Sequence, residues 1–362
     1  MVASGAPTSQ EAQALAELAA LVDRREGGIP LLHTERCDGA TVRIGPDLGA
    51  HIAGGAVRGL ALRGAGLTRV PHTLARLPAL EHLDLTGNRL AALPDDLGAL
   101  VRLRTLTLGD NRLTALPESI DTLSTLGELF VHRNALGELP DGLARLGRLR
   151  VLDLSGNPGL SALPPLAGLG SLAFLYASRL GLTELPASLG ELRALRYLNV
   201  THNALATLPA SLGQLGALEE LRAQDNLLGS LPAELGQLAA LRELHLGSNR
   251  LVALPASIGG LRSLRVLDLT ANRLATLDPA ICSLWSLSEL SLRDNQLTAL
   301  PDAMNRLARL THLDLRSNRL LTLPHALGSL PHLVRLDLRW NGLGEAPPWA
   351  SALERRGCSV FY

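Results

Sequence analysis

The sequence predicts an α/β solenoid: a stack of short coils, each giving one strand to a concave parallel β-sheet and returning through an irregular convex segment. Three observations carry this. The stretch Leu80–Asn88, LEHLDLTGN, has the pattern L-x-x-L-x-L-x-x-N. Its first apolar anchor returns every 23 residues at Val57, Leu80, Leu103, Leu126, Leu149, Leu172, Leu195, Leu218, Leu241, Leu264, Leu287, Leu310 and Leu333, thirteen units with no net insertion or deletion. A fixed short period means units that bury a continuous core only against one another. Within each unit the x-L-x-L-x portion alternates at period two, so the two leucines point inward and the three x positions share one face. After the Asn a typical unit runs on to Leu-Pro, as at Pro94 and Pro255. The fixed proline φ favours a turn-like return with short helical turns over a long helix.

Taken in order, Thr8 to Arg25 read as a helix. Thr8 and Glu11 have capping-box spacing, Leu15, Leu18 and Val22 share one face, and Arg24-Arg25 precede Gly27-Gly28. The helix is expected to cover the apolar end of the first coil, with Glu11, Gln13, Glu17 and Asp23 on its exposed side. From Ile29 to Ala56 the pattern is degenerate, and only a short strand near Thr41 to Ile44 is assigned. At the other end Pro347 and Pro348 start a short helix through Arg356, Gly357 ends it, and Cys358 to Phe361 add a last strand, with Trp349 and Phe361 over the final coil. The expected organisation is an N-terminal helix and capping region over 1–56, the solenoid over 57–343 and a C-terminal cap over 344–362.

Each strand ends at a narrow corner, where an Asn side chain can bond backbone groups left unpaired by the turn. The ladder is Asn88, Asn111, Asn134, Asn157, Asn203, Asn226, Asn249, Asn272, Asn295, Asn318 and Asn341; the first unit has Ala65 instead and the sixth Leu180. With x-L-x-x-L-P-x-x-L-G-x-L following the Asn, the chain resembles leucine-rich repeat proteins of the intracellular Leu-Pro class, which Ras-associated scaffolds and many bacterial repeat proteins share. The resemblance covers Val57 to about Leu343 and implies a horseshoe fold. Function must be argued from a site, because one fold hosts many functions.

Composition narrows the classes. The chain has 362 residues and formal net charge zero, and all 34 basic residues are Arg. Neutrality argues against nucleic acid or an anionic membrane as the main partner, and the lack of Lys excludes Schiff-base or P-loop Lys chemistry. Arg-only usage with much Ala, Gly and Leu looks like a GC-rich bacterial genome. Cys37, Cys282 and Cys358 have no metal or disulfide-framework spacing. The start MVASGAPTSQEAQ lacks the basic and apolar regions of a signal peptide, and no stretch reaches the roughly 20 apolar residues of a membrane span. A cytoplasmic setting is expected, with leaderless secretion left open.

The leucines are core, so function is sought among the outward strand positions. Phe130, Phe174, Tyr176 and Tyr197 fall there, four of the six Phe and Tyr residues in the chain. Adjacent strands lie about 4.8 Å apart, which predicts these rings within roughly 15 Å of one another. His132, Arg133, Asn199 and Arg222 are expected at their rim, with Arg179, His202 and Glu220 nearby. Rings with polar tips and large apolar area suit a binding surface; the plainer alternative is that they shield a twisted sheet. The sixth unit, with Ala177 at a leucine position and Leu180 for Asn, breaks the pattern at the same place, following a fifth unit whose Leu-Pro pair sits one residue late. Arg293, Arg316 and Arg339 stack at the third outward position beside Asp314 and Asp337; a self-satisfied surface ladder is preferred to an anion site. His245 stands near Glu220, Glu243 and Asp268, and an exposed polar ladder explains it better than acid/base chemistry. His33 and Cys37 have no supporting motif. The expected function is a non-enzymatic scaffold, monomeric and without cofactor or metal, binding a protein or extended peptide on its concave face. The alternatives are a secreted bacterial effector binding a host protein and, below it, an anion-binding or hydrolytic protein.

Overall fold

The computed structural model describes residues 7–23, 41–44 and 48–362. Arg24, Arg25, Gly27, Gly28, His33 and Cys37 lie outside the described residues. Two compact units divide the chain at Leu180/Gly181, and each is described by itself.

The first unit opens with α1 (Ser9–Asp23). The capping box forms: Glu11 Oε2 accepts from the Thr8 backbone N–H at 3.2 Å, and the Glu11 N–H donates to Thr8 Oγ1 at 3.3 Å. Glu11 is not on the exposed side as expected. It is 3% exposed, because its second carboxylate oxygen accepts the Val57 N–H at 3.3 Å and so ties the helix to the first coil. Ala14 and Leu18 are buried on the same face.

The strand expected at Thr41 to Ile44 is present as β1 (Thr41–Ile44). It pairs antiparallel with β2 (Leu48–Ala53), which pairs antiparallel with β3 (Ala56–Leu62). The turn between β2 and β3 uses Gly54 and Gly55 at positive φ; this hairpin was not legible, because no repeat pattern marks it. From β3 onward the pairing is parallel and in 23-residue register: β4 (His82–Asp84), β5 (Thr105–Thr107), β6 (Glu128–Phe130), β7 (Val151–Asp153) and β8 (Phe174–Tyr176).

The second unit repeats the arrangement with β9 (Tyr197–Asn199), β10 (Glu220–Arg222), β11 (Glu243–His245), β12 (Val266–Asp268), β13 (Glu289–Ser291), β14 (His312–Asp314) and β15 (Arg335–Asp337), all parallel. It closes with α2 (Ala350–Arg355) and β16 (Ser359–Phe361), which pairs with β15. The left-handed Gly357, at φ +90°, separates helix from strand as the sequence predicts.

The regular strands hold three residues, shorter than the five of x-L-x-L-x, so the third outward position of each unit lies just past its strand. The next residue in most repeats is left-handed, as at Asp110, Arg133, Arg179, His202, Asp225 and Ala271. This conformation turns the chain into the corner where the Asn sits. Asn157 shows the ladder: its Oδ1 accepts the Leu136 N–H at 3.1 Å while Nδ2 donates to the Val131 and Leu154 carbonyls at 3.1 and 2.6 Å. Leu180 replaces Asn without losing the corner: Arg179 keeps φ +55°, and Leu180 is fully buried. On the return path, residues after the proline form five-residue 3-10 turns, such as Ala210–Gln214 after Pro209. Among the described residues of the first unit, the path between β7 and β8 lacks such a turn, which matches its displaced Leu-Pro pair.

Candidate functional site

The middle outward position is largely a structural one. At five of these positions the side chain accepts the N–H two residues on: Asp84 from Thr86, Asp153 from Ser155, Asn199 from Thr201, Asp268 from Thr270 and Asp314 from Arg316, at 2.9–3.1 Å. That is the Asx-type use of a short polar side chain; Asp337 accepts instead from the Arg335 and Arg339 side chains. A phenyl ring at Phe130 accepts nothing of this kind, so its presence there is not required by the coil.

In the first unit Phe130, Phe174 and Tyr176 are half-buried and face outward, and the intervening strand joins them: Phe130 is in register with Asp153, and Asp153 with Tyr176. Beside them lies a charged cluster. The His132 ring packs over Gly109, where an added Cβ would fall 2.3 Å from its Nε2. Its Nδ1 is 3.3 Å from Asp153 Oδ2 and its Nε2 3.7 Å from Asp110 Oδ2. The hydrogen bond to Asp153 pushes the imidazole pKa up against the opposing effect of burial, aided by the charges of Asp153 and Asp110. Burial alone would raise the Asp153 carboxyl, but the hydrogen bonds from His132 and Ser155 outweigh it and hold the group below the usual carboxylate range. Arg133 reaches Asp110 at 3.4 Å from its left-handed corner position. Both rim residues are therefore restrained by carboxylates.

Tyr197, Asn199 and Arg222 belong to the second unit. Asn199 Nδ2 lies 3.5 Å from Tyr197 Oη. Arg222 donates to Glu220 in its own strand, and that bond raises its pKa. Glu220, Glu243 and His245 bring one donor atom each to within 4.8 Å of one another. The Arg222 guanidinium already counters Glu220, and His245 Nε2 is held by Glu243 at 3.1 Å. These are the residues that could hold a metal, and their charges are met internally.

The arginine ladder is self-satisfied. Arg293 pairs with Asp294 at 2.9 Å, Arg316 with Asp314 at 2.5 Å, and Arg339 with Asp337 at 2.7 Å. Asp337 is 1% exposed and also bound by Arg335 at 3.3 Å. Burial works to raise its pKa, but the hydrogen bonds from Arg339 and Arg335 prevail and lower it. Phe361 lies under the guanidinium groups of Arg335 and Arg339, at 5.1 and 5.3 Å.

The second unit also carries two open grooves on its outward face that attention to aromatic residues passed over. One, of about 380 Å³, is lined by Asn199, Thr201, His202, Arg222, Gln224, Asp225, Gly247, Ser248, Asp268 and Thr270. The other, of about 460 Å³, extends from His245 and Asp268 past Ser291 to Asp314, Arg316 and Arg335. The signal in the sequence was Gly247, a third outward position with no side chain.

A family model for the leucine-rich repeat region matches residues 142–249 and 229–347, and shorter leucine-rich repeat models match 101–158 and 79–100. Among solved structures, the chain is similar to a leucine-rich repeat protein of Leptospira interrogans at 31% identity and TM-score 0.68, covering 82% of each chain. It is also similar to the plant peptide hormone receptor RGFR1, solved in complex with RGF2, at 29% identity and TM-score 0.65, covering 84% of this chain and 55% of the receptor. The Drosophila Toll–Spätzle complex matches at 25% identity and TM-score 0.72, covering 79% of this chain and 41% of that one. No match is found among curated proteins. The similar structures are extracellular or secreted proteins, which overturns the cytoplasmic setting expected above. The physical reason is that, among the described residues, aliphatic stacking and the Asn ladder hold the coils while Cys282 and Cys358 stay free, so unpaired cysteines do not mark a reducing compartment. Among the described residues no helix is long and apolar enough to cross a membrane. With the period, the corner Asn and these matches in agreement, the chain belongs to the leucine-rich repeat family.

Proposed function

We propose that this protein is a non-enzymatic binding scaffold that captures a protein or extended peptide on its outward strand face. The observation that carries the reading is the set of half-buried rings Phe130, Phe174 and Tyr176 on β6 and β8, either side of β7, with Phe130 and Tyr176 at the middle outward position that Asp153 occupies between them. Complexes of similar proteins support it: RGFR1 holds RGF2, and Toll holds Spätzle. A preformed sheet loses little entropy on binding, so its contacts are not spent on ordering the receptor.

In the first unit the binding residues are Phe130, Phe174 and Tyr176, with His132 and Arg133 supplying charge at the edge. In the second unit Tyr197, Asn199 and Arg222 take the same role on their own strands. Residues 57–343 form the working solenoid, 1–56 and 344–362 its covers, and the repeats are of the Leu-Pro class, since a proline precedes each regular 3-10 turn except the one begun by Asp278-Pro279. The chain does not take nucleic acid as its main partner, a reading supported by its zero net charge, and it acts as a monomer.

Affinity capture with wild type and with the Phe130→Ala/Tyr176→Ala double variant tests the proposal. The double variant should lose about tenfold or more in affinity for the captured partner while its thermal midpoint changes little. Equal capture by both forms would show that the rings only shield the sheet.

A further inference from the structure

The smaller groove of the second unit has a notch in its floor. The third outward positions of neighbouring repeats hold Thr201, Gln224, Thr270 and Arg293, whereas the one between Gln224 and Thr270 is Gly247. The acceptors beside this gap are unusual. Gln224 Oε1 is buried with no hydrogen-bond partner, a condition unfavourable for a polar group unless a ligand supplies a donor. Asp268 uses Oδ1 for the Thr270 N–H at 3.0 Å. Its Oδ2 points to the gap, 3.2 Å from where a Cβ on Gly247 would stand.

The nearby basic side chains are engaged elsewhere. Arg222 donates to Glu220, His245 is held by Glu243, and His202 lies 3.4 Å from Asp225. Among the described residues, a buried acceptor with no hydrogen-bond partner and a carboxylate with no ion pair thus line one groove at a position where Gly247 contributes no side chain, and Asp268 lines both grooves of this face.

We propose that the Gly247 notch is a recognition pocket for a basic side chain of an extended partner, with Asp268 Oδ2 and Gln224 Oε1 accepting from its N–H groups. The inference rests on the scaffold reading and names the chemistry that the second unit selects. A guanidinium fits the demand well, because it offers five donors in a plane and no acceptor that would repel either oxygen.

The test uses the full chain and two capped tripeptides, acetyl-Gly-Arg-Gly-amide and its citrulline counterpart, titrated while the amide resonance of Gly247 is followed by NMR. The arginine peptide should shift that resonance saturably, and the uncharged citrulline peptide should not. Asp268→Asn keeps an acceptor for the Thr270 N–H but removes the charge; it should weaken arginine-peptide binding by about tenfold, the size of one charge-assisted contact. Gly247→Thr, which fills the notch, should abolish the arginine-peptide shift, read in wild type and variant alike at the neighbouring Ser248 amide, in protein whose thermal midpoint matches wild type. No shift in wild type up to about 10 mM peptide, equal response to citrulline, or undiminished binding by Asp268→Asn each overturns the proposal. Partner capture that depends on Phe130 and Tyr176 while these peptides fail to bind would sink the notch and leave the scaffold reading standing.

Discussion

Single side chains set the corner of every coil. Asn157 is fully buried and satisfies one backbone N–H and two carbonyls. Its replacement by Ala should lower stability by roughly 2–4 kcal/mol, since it strands several buried polar groups, and a denaturant midpoint within error of wild type would contradict this account. Ala271 occupies the left-handed corner position at φ +54° with no side-chain hydrogen bond to compensate. Ala271→Gly should raise stability by up to about 1 kcal/mol, the steric cost of that conformation being partly offset by glycine's extra chain entropy. His132 provides a pH signature. Its folded pKa is raised by the Asp153 hydrogen bond, so the stabilisation is fully present below the unfolded imidazole value of about 6.5 and is lost as pH rises through the folded value. The stability difference between wild type and His132→Gln should therefore shrink on going from about pH 6 to pH 8; a constant difference would mean that the pair is not coupled to folding.

Elements are fitted to one another along the 3-10 turns, and the glycines divide by that fit. A Cβ on Gly213 would land 2.4 Å from the Glu234 carbonyl oxygen and 2.8 Å from its Cβ, contacts with backbone of the next turn that cannot swing away. Gly216, three residues later, would meet nothing within 4 Å. Gly213→Ala should cost roughly 1–3 kcal/mol by forcing adjacent turns apart, whereas Gly216→Ala should be close to neutral; parallel thermal unfolding of the two variants decides it. The regular 23-residue spacing of apolar anchors made these elements legible in order and register. It did not reveal the β2–β3 hairpin, whose register comes from a glycine turn and a bulge between His51 and Ile52. Nor did it reveal the burial of Glu11, because a carboxylate on an amphipathic helix reads as exposed until the backbone N–H of Val57 is brought against it.

At the scale of the whole molecule, the period gave the architecture while the proposed binding surface stayed only partly readable. Phe130 and Tyr176 stood out because aromatic residues are rare in this chain, and the structure sets them on the predicted face. The Gly247 groove did not stand out, since a glycine among repeats reads as a gap until Gln224 and Asp268 are seen on either side of it. The ends are part of the same economy. Removing residues 344–362 would strip β16 from β15, with loss of the Leu338 N–H to Phe361 carbonyl bond at 2.7 Å, and uncover Leu336 and Leu338. Destabilisation on the order of 5 kcal/mol is expected from the exposed leucines alone, together with a broader thermal transition as the terminal coils melt separately; a transition as sharp as that of the full chain would show the cap to be dispensable.

The fixed spacing of strands has a geometric consequence for anything laid across them. Strands recur about every 4.8 Å, whereas an extended peptide presents side chains on one side about every 6.7 Å. The two rulers behave as a vernier: they agree at one point, drift out of phase within two or three strands and do not coincide again for roughly 33 Å. A strictly uniform face would therefore offer a crossing peptide no favoured register. On the proposed reading, a local exception within a unit, such as the ring at Phe130 in the first or the empty place at Gly247 in the second, would be the mark that gives a partner its register.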